Sequence, residues 1–406
     1  MDWEVKYYPE YWDGKKLAYP HVAKESPKFA RSMVVGNLVF VSGCTGQDTI
    51  TGKPTADKFE DQMMTVMLVK RLEDYPKMRR TEVEFYQKHA PYLVENPPAS
   101  TFIAPASLAK PEFLVEVDVI GVINRNAPEW GVKHYAEYWG GKKLAFPHVP
   151  KEHPKFARTE VVGNLVIVSG CEALNHDTLK VETNDFKEQT IICLEKIRAG
   201  MSETGGSINN VVKTYVLLKD IKNYPLYREV EREFFKEHAP ELVKNPPAST
   251  VINVSSLALP EFLVEVEAFG MIDKRAAGWT TRYSPGSKEA SSGASAGNLL
   301  FLSGCDGSNP KTGKMETNIL EQQVIIALDK VKASLERAGS SMEKMVKTFM
   351  LLKRLEDYPK MRRAEVEYYQ KHAPHLVDYP PVSTFMQLSS LTNPSGLFEI
   401  DVTAVL

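Results

Sequence analysis

The segment Val34-Val35-Gly36-Asn37-Leu38-Val39-Phe40-Val41-Ser42-Gly43-Cys44 returns nearly unchanged as Val161 to Cys171 and again as Ala296 to Cys305. Two further markers recur behind it in the same order. Pro97-Pro98-Ala99-Ser100-Thr101 reappears as Pro246 to Thr250 and as Pro380-Pro381-Val382-Ser383-Thr384. Phe113-Leu114-Val115-Glu116-Val117-Asp118 reappears as Phe262 to Glu267 and as Leu397 to Asp401. Long-period self-similarity constrains architecture before local propensity does. The period here is too long for a solenoid turn, so each copy is a domain with its own hairpin and helix. The boundaries are expected near residues 127 and 277, giving units 1–127, 128–276 and 277–406.

Within a copy the pattern is consistent. An apolar run is broken by Gly36-Asn37, where glycine's access to positive φ suits a tight hairpin turn. In the third copy Val324, Ala327, Leu328, Val331 and Leu335 share one helical face until Gly339. A second helix is expected from about Pro359, a residue suited to a first helical turn, to His372-Ala373-Pro374. The last strand alternates Val115, Val117 and Val119 against Glu116 and Asp118. The unit reads β-β-(β)-α-β-α-β-β, a sheet backed by helices.

Copy one is shorter than the others. Ser42 lies 127 residues before Ser169 whereas Ser100 lies 149 before Ser249, so 22 residues are missing, between Gln62 and Val66. Met67 to Tyr75 already matches Met350 to Tyr358, so the missing piece is the first helix. Five buried apolar side chains at about 1.5–3 kcal/mol each are a large part of a domain's stability. Copy one is therefore expected to lean on its neighbours, unless the deletion is an error in the gene structure; the sequence leaves both readings open.

Composition adds bounds. With a net charge of −2 over 406 residues there is no basic footprint for nucleic acid. The chain has no run of about 18 apolar residues, and its first residues are acidic and aromatic, so we expect a cytoplasmic protein without a membrane span. Three of the four cysteines, Cys44, Cys171 and Cys305, recur at one repeat position, which is not the pattern of a disulfide framework within each unit.

These residues resemble the RidA/YjgF family of reactive intermediate deaminases: a Gly-Asn hairpin leading into Ser-Gly, a Thr-Gly-Lys turn (Thr312-Gly313-Lys314), two helices, a Pro-x-Ser segment and a final strand with a carboxylate. The resemblance covers nearly the whole chain, three times. It implies an α+β, chorismate-mutase-like unit that normally trimerises, with sheets closing a central barrel, helices outside and pockets between subunits. One chain of three units would then form a pseudo-trimer by itself, acting as a monomer. The family hydrolyses imines or enamines derived from amino acids, with a strand glutamate positioning water and an arginine clamping the substrate carboxylate.

The glutamate matches Glu116, Glu265 and Glu399, the expected catalytic residues. Where the deaminases carry arginine, this chain has Ser100, Ser249 and Ser383. Serine offers one neutral donor in place of a charged bidentate fork. The family's tyrosine, thirteen residues before the Ser-Gly motif, is replaced by Phe29, Phe156 and Ala290. The resemblance places a small-molecule pocket around Ser42, Gly43 and Cys44, around Ser169, Gly170 and Cys171, and around Ser303, Gly304 and Cys305, each with one of the three serines above. Arg31 and Arg158 share a strand face with Phe29 and Phe156 and are candidates to replace the lost arginine, with Ser292 at that place in copy three.

Alternative readings of single residues are plainer. The carboxylate pairs such as Glu116 with Asp118 would otherwise mark a solvated strand face, the cysteines a small buried side chain, and Arg31 and Arg158 a surface strand arginine. His89, His238 and His372 recur at the end of the second helix, where a cation complements the helix dipole. We expect no metal and no cofactor. Two functional readings stand: a divergent deaminase or hydrolase, and a non-catalytic ligand binder or scaffold.

Overall fold

The structure is a computed structural model that describes residues 3–8, 29–45, 68–123, 132–135, 156–272, 281–287 and 290–406. The expected domain boundaries and the gap between Gln62 and Val66 lie outside the described residues.

Copy one contributes strands β1 (Val5–Tyr8), β2 (Ser32–Val35), β3 (Leu38–Thr45), β4 (Leu68–Val69) and β5 (Val115–Val122), with helices α1 (Tyr75–His89) and α2 (Tyr92–Glu95). Copy two contributes β6 (Val132–Tyr135), β7 (Thr159–Val162), β8 (Leu165–Glu172), β9 (Leu174–Asn175), β10 (Lys180–Val181), β11 (Val211–Leu218), β12 (Ala248–Asn253) and β13 (Val264–Met271). Its helices are α3 (Phe186–Glu203), α4 (Tyr224–His238) and α5 (Pro240–Lys244). Copy three contributes β14 (Thr281–Ser284), β15 (Gly293–Ala296), β16 (Leu299–Leu302), β17 (Cys305–Asp306), β18 (Met345–Leu352), β19 (Val382–Gln387) and β20 (Phe398–Val405). Its helices are α6 (Leu320–Arg337), α7 (Tyr358–His372) and α8 (His375–Asp378).

The main sheets run β1-β2-β3-β5-β4, β12-β11-β13-β8-β7-β6 and β14-β15-β16-β20-β18-β19, with β17 also on β20. Pairing is antiparallel except β11 with β12 and β18 with β19. The hairpins turn at Gly36, Gly163 and Gly297 with φ near +60° (59°, 60° and 59°), a conformation that costs glycine little.

The first helix reads from the sequence as it folds. Val324, Ala327, Leu328, Val331 and Leu335 of α6 are each fully buried against the sheet, and the chain leaves the helix at Gly339 with φ +84°. The second helix opens on Tyr-Pro in each copy and ends on His89, His238 or His372, whose imidazole packs on the ring one turn earlier, with centroids 4.6, 4.5 and 4.4 Å apart. Among the described residues copy one has no counterpart of α3 or α6.

Two apolar clusters are shared by all three copies. One brings together Phe40 and Leu38, Phe269 and Met271, and Phe301 and Val346. The other joins Leu68 and Phe113, Leu217 and Phe262, and Leu351 and Met386. Among the described residues no closed barrel is detected: the ladders form separate sheets, joined by isolated bridges such as Ala99 to Ala157. No helix among the described residues is long and apolar enough to cross a membrane.

Candidate functional site

Each boundary between copies is built from the same parts. Ser100 N–H donates to Ser169 Oγ at 2.8 Å, Ser249 N–H to Ser303 Oγ at 2.9 Å, and Ser383 N–H to Ser42 Oγ at 2.9 Å. Each hydroxyl in turn donates to a carbonyl of its own copy, that of Ala157, Ser291 or Ala30. The expected pocket serines are thus brought together in pairs, copy one on two, two on three, and three on one. Both members are engaged in holding the boundary.

Beside each pair the strand glutamate is buried. Glu116, Glu265 and Glu399 are 3%, 4% and 4% exposed. A methyl group on Gly43, Gly170 or Gly304 would meet the Oε1 of that glutamate at 1.9 Å, so glycine is needed for the carboxyl to lie over the turn. At Gly170 and Gly304 a threonine methyl from the preceding copy, Thr101 or Thr250, closes the other side at 3.1 and 3.3 Å. The solvated-face reading of these glutamates is overturned, because neighbouring copies cover that face. Glu399 is pushed up to about 8 by burial, with Asp306 and Asp401 adding repulsion. Its Oε2 has no hydrogen-bond partner among the described residues.

The second acids of the strand pairs point into a different setting. Asp401 is ion-paired to Lys213 of copy two, both fully buried, and accepts from Tyr215 Oη at 2.8 Å and Thr250 Oγ1 at 2.5 Å. Asp118 is ion-paired to Lys347 of copy three and bonded to Thr384. Glu267 is bonded to Thr101, and burial raises its pKa to about 7. By sequence, the lysine position facing it falls on Met64 in the shortened copy, outside the described residues.

The sequence reading missed three arginines. Arg79, Arg228 and Arg362 stand at one position of α1, α4 and α7 and are buried. Arg79 Nη2 donates to Ser100 Oγ and Arg228 Nη2 to Ser249 Oγ, both at 2.7 Å. These serines occupy the place of the deaminase arginine, so a guanidinium reaches the same spot from the helix. Each arginine is also held by a glutamate one turn on, Glu82, Glu231 or Glu365, through Nη1. The signal was legible as Tyr-Pro-x-x-Arg-x-x-Glu, repeated three times.

Arg158 is the first of the two expected candidates to replace the family's arginine. It is buried, but its guanidinium is ion-paired to Glu203 at the end of α3 in its own copy. Arg31 is exposed. Burial raises the thiols, Cys44 to about 11 and Cys305 to about 12, with Cys171 raised further, which disfavours the thiolate form. Each donates within its own turn, to the carbonyl of Ser42, Ser303 or Ser169.

The chain matches the family described as Endoribonuclease L-PSP over residues 148–272 and again over 281–406. A RutC family protein of Pyrococcus abyssi is 34% identical over 119 residues, 29% of this chain and 87% of the relative. The 3-aminoacrylate deaminase RutC of Acinetobacter baylyi is 32% identical over 103 residues, 25% of this chain and 75% of its own. A 2-iminobutanoate/2-iminopropanoate deaminase of Dermatophagoides farinae is 29% identical over 130 residues, 32% of this chain and 95% of its own. Among solved structures, the YjgF gene product of E. coli is 28% identical and covers 28% of this chain and 86% of its own, with a TM-score of 0.26. With two successive stretches spanning more than half its length matched, the chain belongs to the Endoribonuclease L-PSP family, that of the RidA, YjgF and RutC proteins, as a tandem repeat.

Proposed function

We propose that the units 1–127, 128–276 and 277–406 close on one another as a pseudo-trimer within one chain, and that the boundaries between them hydrolyse a small imine or enamine derived from an amino acid. The observation that carries this reading is Glu399, a buried carboxyl over the Ser303-Gly304 turn whose proton is retained near neutral pH. In the reaction, the carboxyl protonates the imine nitrogen and its carboxylate then takes a proton from the water that adds to the C=N carbon. Collapse of the resulting carbinolamine breaks the C–N bond and gives the carbonyl compound and ammonia. Glu116 and Glu265 occupy the same place in the other boundaries. Relatives named as deaminases of 3-aminoacrylate and of 2-iminobutanoate support this substrate class. The near-neutral charge gives RNA no attractive surface.

A second reading, a non-catalytic holder of a small ligand, is favoured by one observation: each buried arginine is already neutralised by its own glutamate. A coupled assay with freshly generated 2-aminoacrylate separates the two. The first reading requires pyruvate release above the uncatalysed rate and its reduction in Glu399→Gln, while a rate equal to background with a ligand retained through purification supports the second.

A further inference from the structure

One residue past the recurring cysteine, opposite each strand glutamate, the copies differ. Thr45 pairs with Glu116, Glu172 with Glu265, and Asp306 with Glu399. Residues directly opposite in an antiparallel ladder share a sheet face, with Cβ atoms about 4.5–5.5 Å apart. Copy one therefore sets a neutral hydroxyl beside its glutamate, whereas copies two and three set a second carboxyl there.

In copy three that second carboxyl is held as an anion. Asp306 Oδ1 accepts from Lys330 Nζ of α6 at 2.7 Å, from Ser308 Oγ at 2.5 Å and from the Ser308 N–H at 3.1 Å. Lys330 Nζ also donates to Ser308 Oγ at 2.7 Å, which fixes the three groups to one another. Burial alone would raise the Asp306 carboxyl, but Lys330 and the two Ser308 bonds bring it below the ordinary aspartate range. The Lys330 and Asp306 side chains are 19% and 18% exposed, so water supports both charges, while Glu399 is 4% exposed. Copy two has a lysine at the same helix position; Lys196 is buried and donates to the Glu172 main-chain carbonyl at 2.6 Å.

The charged groups that face Glu399 are Asp306 on β17, Asp401 on its own strand, Lys213 from β11 of copy two and Lys330 from α6. Burial does most to keep the proton on Glu399, and Asp306 is the largest of the charges that add to it. Lys213 and Lys330 act in the opposite direction.

We propose that Asp306 is a positioning residue for this site: fixed as an anion by Lys330 and Ser308, directly across the ladder from Glu399, it repels negative charge there and so reserves the Glu399 carboxyl as a proton donor. This rests on the reading of Glu399 as the donor, and names the group that sets it. With Thr45 at this position, copy one does not carry the device.

The test is a pH titration of the full chain, labelled at the glutamate side-chain carboxyl carbons and followed by carbon NMR. Glu399 is assigned by the resonance missing from Glu399→Gln, and its expected midpoint is about 8. Asp306→Asn, which removes the repelling charge, should make Glu399 at least tenfold stronger as an acid. Lys330→Met, which removes an attracting charge, should make it weaker. Both variants break the same ion pair, so a mere loosening of the turn would admit water to Glu399 and strengthen the acid in both. A Glu399 that is unmoved by Asp306→Asn, or that becomes a stronger acid in Lys330→Met, would overturn the proposal. Pyruvate release from 2-aminoacrylate with an unmoved titration sinks this inference alone; titrations that move as expected without pyruvate release sink the catalytic reading and leave Asp306 as the group that holds the proton in place.

Discussion

Burying a carboxyl group among other carboxylates favours its neutral form, and Glu399 and Glu267 both meet that condition, at about 8 and about 7 against 4.5 for an unperturbed glutamate. The sign follows from linkage. A carboxyl whose folded pKa is raised contributes stability that is complete below about pH 4.5 and is lost as pH rises through about 7 to 8. At about 1.4 kcal/mol for each tenfold change in an acid's ionisation constant, the effect is on the order of a few kcal/mol. Urea midpoints are expected to fall between pH 5 and pH 9, and Glu399→Gln should flatten that slope; an unchanged slope would show that the carboxyl is not neutral in the folded protein. At this scale the sequence was partly legible. The strand glutamates could be located because the Phe-Leu-Val-Glu text repeats, but their burial could not, since the groups that cover them come from another copy. Arg79, Arg228 and Arg362 were passed over because a charged residue on an amphipathic helix reads as solvent-facing, although the repeated Tyr-Pro-x-x-Arg-x-x-Glu text marked them.

At the scale of elements, periodicity carried the reading. The apolar face of α6 was visible as spaced positions, and those side chains are the fully buried ones, while Ile325 on the opposite face is 44% exposed. Leu328→Ala should therefore cost about 2–5 kcal/mol by leaving a cavity, and Ile325→Ala less than about 0.5 kcal/mol. Equal losses in chemical denaturation would mean that the helix does not present this face to the sheet. Arg158 illustrates where element-level reading stops. Its strand and face were readable, but the strand's partner across the copy is α3, and pairing with Glu203 depends on how that helix crosses the sheet.

For the whole molecule, the repeat text fixes three similar units but not their differences. By sequence, copy one has Met64 where the other copies have Lys213 and Lys347, and the two inter-copy ion pairs, Lys213 with Asp401 and Lys347 with Asp118, have no third equivalent among the described residues. Covalent linkage raises the effective concentration of each copy for the others, which lets unequal boundaries persist without independent assembly. In the proposed pseudo-trimer the closing contact is the one between copies three and one, where Ser383 meets Ser42. The most direct measurement is oxidative cross-linking of the Ser42→Cys/Ser383→Cys chain, read by mass spectrometry. The account predicts a disulfide joining peptides of the first and third copies within one chain of about 45.6 kDa. Cross-links found only between separate chains, or a reduced pair under conditions that oxidise a surface control pair, would contradict it.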